Sequence, residues 1–65
     1  MFSAKKFRVL LTDSGMSVKQ FSKKAGVSDV TIGKILNHGT KPKIETVGKL
    51  AKGLQVSSEK LMKDD

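Results

Sequence analysis

Apolar residues recur along the chain at spacings of three and four: Phe7, Leu10 and Leu11, then Phe21 and Ala25, then Ile32, Ile35 and Leu36, then Val47, Leu50, Ala51 and Leu54. That period lays each set along one face of an α-helix. Val30 and Ile32 alternate as a strand would, but only briefly and inside a segment that also carries helical spacing. The pattern predicts an all-α chain of short helices, each marginal alone and dependent on packing.

Helix starts are marked by one signal that repeats four times: an apolar residue, a serine, three residues, and a second apolar residue. It reads Phe2-Ser3…Phe7, Met16-Ser17…Phe21, Val27-Ser28…Ile32 and Val56-Ser57…Leu61. This is the spacing of an N-cap serine, whose oxygen accepts from an orphan backbone N–H, flanked by a hydrophobic staple. Ser17 and Gln20 also have the spacing of a capping box. Gly15 and Gly26 stand where left-handed residues end helices. His38 to Pro42 reads as a loop, and Pro42 prevents the third helix from continuing. A fourth helix is expected from about Ile44 to Leu54, with no capping oxygen on Lys43, and a short fifth from Ser58 to about Lys63. Lys63, Asp64 and Asp65 are expected to fray.

Composition narrows the function. A chain of 65 residues has room for one domain, expected over 1–65. The absence of cysteine removes disulfides and thiolate metal sites and fits a reducing cytoplasm. No stretch approaches the ~18 apolar residues of a membrane span. Lys5, Lys6 and Arg8 interrupt the N-terminal apolar residues, so a signal peptide is not expected. Thirteen Lys+Arg against six Asp+Glu give a formal net charge of +7. A small, strongly basic chain suits a polyanion, of which nucleic acid is the usual one. With no Trp and its basic residues spread over several segments, the chain lacks the make-up of a membrane-surface helix.

Between the second and third helices lie only Gly26, Val27 and the cap Ser28. This tight turn has the spacing of a helix-turn-helix unit over about residues 17–37, whose second helix enters the major groove. The run from Ser17 to Asn37 resembles the lambda-repressor-like (Cro/cI, XRE) helix-turn-helix family. Lys41-Pro42-Lys43-Ile44-Glu45-Thr46-Val47 and Leu50-Ala51-Lys52-Gly53-Leu54-Gln55-Val56-Ser57 resemble that family's loop, fourth helix and fifth-helix cap. The resemblance spans nearly the whole chain. It implies a five-helix domain that binds double-stranded DNA as a homodimer at a pseudo-palindromic operator. It also implies a role as a transcriptional regulator, a small phage or mobile-element type repressor or Cro-like protein, located in the cytoplasm with the nucleoid.

Helical spacing puts residues 29, 30, 33, 34 and 37 in one stripe opposite the apolar one. With the cap position, the expected base-reading residues are Ser28, Asp29, Val30, Gly33 and Lys34. Lys34 can donate to guanine O6 or N7, Asp29 can accept from cytosine N4–H2, and Val30 can touch a thymine methyl. Gly33 lets backbone approach DNA, at a cost of roughly 1 kcal/mol of helix stability against alanine. Lys19, Gln20, Asn37, Thr40, Lys41 and Lys43 are the expected phosphate contacts, which fix register without reading sequence. The family commonly has glutamine where this chain has Val18. Many members also pair an arginine of the first helix with a glutamate late in the third, where this chain has Leu11 and Leu36, read here as core.

The expected dimer surface is Leu54, Gln55, Val56, Ser57 and Ser58, with Leu61 or Met62. No cofactor, metal or small-molecule ligand is indicated. His38 is the single histidine and has no ligand neighbours in sequence, and no nucleophile–base or paired-carboxylate spacing appears. The chain therefore reads as a non-enzyme. The rival reading is a protein-interaction module on the same fold, such as an antitoxin, anti-repressor or adaptor, for which an apolar patch would replace the polar stripe.

Overall fold

The computed structural model describes residues 1–63, and Asp64 and Asp65 lie outside the described residues. Four α-helices follow one another: α1 (Ala4–Ser14), α2 (Val18–Ala25), α3 (Asp29–His38) and α4 (Ile44–Leu54). The expected fifth helix is instead a single 3-10 turn over Ser58–Leu61. Ser57 has the extended backbone of an N-cap, but its side chain makes no capping bond. The turn stops at Met62, whose extended backbone (φ −97°, ψ 146°) bridges to Phe2 and so does not continue a helix.

The other three serines do close their caps. Ser3, Ser17 and Ser28 each accept from the backbone N–H three residues on, at 3.1 Å. At Ser17 the box is reciprocal, because the Gln20 side-chain oxygen Oε1 accepts from the Ser17 N–H at 2.9 Å. Gly15 and Gly26 adopt left-handed φ of 73° and 72° and end α1 and α2. A third stop falls at Gly39, with φ 63°, so α3 includes His38 and ends before Pro42 can act on it. At the end of α4 the left-handed residue is Gln55, at φ 59°.

One core unites these elements. Phe7, Phe21, Ile32, Ile35, Leu50 and Leu61 are completely buried. The Phe7 and Phe21 rings meet at 5.7 Å, tilted 51°. The staple pair Phe2 and Phe7 also makes a ring contact, at 6.2 Å. Among the described residues there is no strand, only an isolated antiparallel bridge between Phe2 and Met62. Around it, the Ser3 N–H donates to the Leu61 carbonyl and the Lys63 N–H to the Met1 carbonyl, each at 2.7 Å. Lys63, expected to fray, is thus tied to the chain's start.

α2 and α4 approach each other closely at Gly53. A Cβ there would lie 2.8 Å from both the Ala25 Cβ and the Phe21 Cε1. Gly48, also inside α4, is exposed, with nothing within 4 Å of the same position. The two glycines therefore respond in opposite directions to alanine. Gly53→Ala overpacks the α2–α4 contact and costs about 2 kcal/mol. Gly48→Ala meets no obstacle and stabilises by up to about 1 kcal/mol through helix propensity. Urea denaturation of the two variants checks the pair, and equal shifts would contradict the close approach.

Candidate nucleic-acid interface

α2 and α3 form the element of interest, joined by Gly26, Val27 and Ser28. Val27 is buried, which anchors the turn, and Ile32 and Ile35 fix the inner face of α3 in the core. The outer face follows from this. Ser28, Asp29, Val30, Lys34 and Asn37 are exposed, Val30 to 64%. Gly33 is half-buried within the same stripe, and nothing lies within 4 Å of a Cβ built on it. Thr31 and Leu36 are half-buried, between the two faces.

The hydrogen bonds define what each polar group has left to offer. The Ser28 hydroxyl accepts from the Thr31 N–H at 3.1 Å and donates to Thr31 Oγ1 at 2.9 Å. Its one proton is committed, so toward a ligand Ser28 can only accept. The Thr31 hydroxyl keeps its own proton and is the donor at this corner. Outer-face spacing alone points past Thr31, because its backbone position is intermediate. Gln20 is sorted in a similar way. Its carbonyl oxygen is used by Ser17, which leaves the amide N–H groups, the half suited to a phosphate oxygen.

Lys19, Gln20, Asn37, Thr40, Lys41 and Lys43 are all exposed. Lys19 and Gln20 stand at the start of α2; the others lie at the end of α3 and in the loop before α4. Lys41 Nζ donates to the Met1 sulfur at 3.7 Å. Val18 is half-buried against the core, so it makes a packing contact where the family commonly has a polar glutamine. The residues named for a dimer surface are divided. Gln55, Ser57 and Ser58 are exposed and Leu54, Val56 and Met62 are half-buried, but Leu61 is fully buried inside the protomer and offers no surface.

One residue was not singled out by the sequence. An Arg8 guanidinium nitrogen donates to the Leu36 carbonyl. That carbonyl is among the last four of α3, which lack helical partners, while the Gly39 and Thr40 N–H groups both turn back to the Lys34 carbonyl. Leu11 and Leu36 contribute apolar packing, as expected for core positions. Arg8, one turn before Leu11, still ties α1 to the end of α3, using the main chain as acceptor. A backbone acceptor leaves no trace in the sequence.

A helix-turn-helix family model (HTH_3) matches residues 6–61. Among solved structures, the chain resembles an HTH_3 family transcriptional regulator from Vibrio cholerae, with a TM-score of 0.84 and 29% identity. The likeness covers 89% of this chain and 33% of the regulator, so this chain spans about a third of that protein. No curated protein matches the sequence significantly. No helix among the described residues is long and apolar enough to cross a membrane.

Replacing Arg8 tests the tie between α1 and α3. Arg8→Ala leaves the Leu36 carbonyl without its donor and lowers stability by about 1 kcal/mol. Amide exchange near Leu36 and Asn37 should accelerate more than exchange in α2. Equal acceleration in both helices would argue against a local tie.

Proposed function

Because the chain belongs to the HTH_3 helix-turn-helix family, we propose that it is a sequence-specific double-stranded DNA-binding regulator of transcription, with α3 as its reading helix. One observation carries this reading. Ile32 and Ile35 are completely buried while Asp29, Val30, Lys34 and Asn37 stand exposed on the opposite side. A helix gripped along one face by the core and polar along the other can present side chains to base edges from a backbone already held in place. A protein-binding face of the same helix would more often be apolar.

The roles follow from chemistry. Lys34 donates to guanine or to a phosphate. Asp29 accepts from cytosine, and Val30 meets a thymine methyl. Ser28 accepts, and Thr31 donates beside it. Lys19, the Gln20 amide, Asn37, Thr40, Lys41 and Lys43 hold the phosphates that fix register. A lone subunit reads few base pairs, so a two-fold homodimer on a pseudo-palindromic operator is part of the proposal. Leu54 to Ser58 and Met62 supply its contact surface. The regulator acts as a small repressor or Cro-like protein, with one helix-turn-helix domain over residues 1–65.

Selection of binding sites from random duplex DNA at two salt concentrations tests the proposal. A two-fold symmetric consensus that weakens steeply with salt is expected; the absence of any consensus would overturn sequence-specific reading. Within the selected site, Lys34→Ala should cost roughly 1–3 kcal/mol of specific binding. Gly33→Ala separates stability from recognition. It should raise stability by up to about 1 kcal/mol yet weaken operator binding, because the added methyl occupies the space left for DNA. Unchanged affinity would remove Gly33 from the reading face.

A further inference from the structure

Lys5, Lys41 and Lys63 are far apart in sequence, in the first turn of α1, in the loop after α3, and beyond the 3-10 turn. The fold brings them together. The Phe2–Met62 bridge and the two 2.7 Å backbone bonds beside it join the chain's two ends. Lys41 reaches the same place through its bond to the Met1 sulfur. The three lysines, with Phe2 and Gly39, line a cleft of about 280 Å³ that is open to solvent.

Among the described residues, no acidic side chain lines this cleft. Among the described residues, none of the three ammonium groups has a carboxylate partner. A concave wall of one sign focuses positive potential and concentrates anions. Ammonium groups also bind phosphate well as point charges, without the geometric demands of a guanidinium. The cleft is continuous with the loop leaving α3, because Gly39 and Lys41 belong to both.

We propose that Lys5, Lys41 and Lys63 form a phosphate-binding cleft, which holds a backbone phosphate of the duplex beside the bases that α3 reads. The duplex part of this statement rests on the function proposed above. The cleft itself does not, because a free phosphate or pyrophosphate presents the same chemistry.

Two measurements on the full chain separate these possibilities. First, inorganic pyrophosphate is titrated while backbone amide NMR signals are followed. Saturating shifts should cluster at Lys5, Gly39, Lys41 and Lys63 and disappear in the double variant Lys5→Ala/Lys63→Ala. Shifts scattered over all lysines without saturation would overturn the cleft. Second, the dependence of log Kd on log salt is measured with duplex DNA. Lys63→Ala should reduce the slope by about 0.9 for each phosphate that is no longer neutralised, with the preferred sequence unchanged. Lys52→Ala, in the last turn of α4, should leave the slope as it is. An unchanged slope for Lys63→Ala, with the pyrophosphate shifts retained, overturns the duplex assignment and assigns the cleft to free anions. If the wild-type chain binds no duplex, the DNA-reading proposal fails, and the pyrophosphate titration still decides the cleft. Neither the Lys5 nor the Lys63 side chain makes a hydrogen bond within the described residues, so melting curves should show the variants folded.

Discussion

Phe21 has no exposed surface, and its ring meets Phe7 in α1 and the bare backbone of Gly53 in α4. Much else follows from that seat. α2 has 8 residues and α3 has 10, lengths at which an isolated helix is marginal. The angle at which α3 leaves the protein therefore comes from packing. Phe21 fixes α2 between α1 and α4, the buried Val27 fixes the turn, and Ile32 and Ile35 then determine which side of α3 remains outside. The absence of a side chain at Gly53 is what lets the ring and Ala25 come so close. The core thus decides the direction of the proposed reading face before any residue on that face contributes.

The ends of the helices are governed by local chemistry, and for that reason they are legible in the sequence. Ser3, Ser17 and Ser28 form caps from spacing alone, and Gly15 and Gly26 provide left-handed stops. Legibility fails where the determinant is not local. Ser57 carries the same signal, yet its cap does not close and only a 3-10 turn follows. Gln55 adopts a left-handed conformation that a glutamine does not announce. Gly53 reads in sequence as one more helix glycine, and only its neighbours in space make it a packing residue.

The same division runs through the candidate site. The outward stripe on α3 is a consequence of helical period, so Asp29, Val30, Gly33, Lys34 and Asn37 can be named from the sequence. The state of the polar groups cannot. Whether Ser28 offers a proton depends on the rotamer that sends its hydroxyl to Thr31. Whether Gln20 turns its amide nitrogen outward depends on Ser17 taking the oxygen. The Arg8–Leu36 tie joins residues 28 positions apart, and the three-lysine cleft draws on both ends of the chain, which no local pattern encodes.

Asp29 follows from the electrostatics of such an interface. It stands in the first turn of α3, where its charge favours the helix by roughly 0.3–1 kcal/mol. On the proposed function, in which lysines approach a phosphate backbone, the same carboxylate would oppose binding wherever no amino donor meets it. Its contribution to affinity would then be unfavourable at most sequences and relieved at those presenting a cytosine amino group. The lysines around it attract any duplex equally. A residue that penalises most sequences gives selectivity that added positive charge cannot, because specificity is a difference between affinities. On the proposed DNA-binding function, the strongly basic surface and the single acid on α3 would act together: one would supply attraction, and the other would make that attraction depend on sequence.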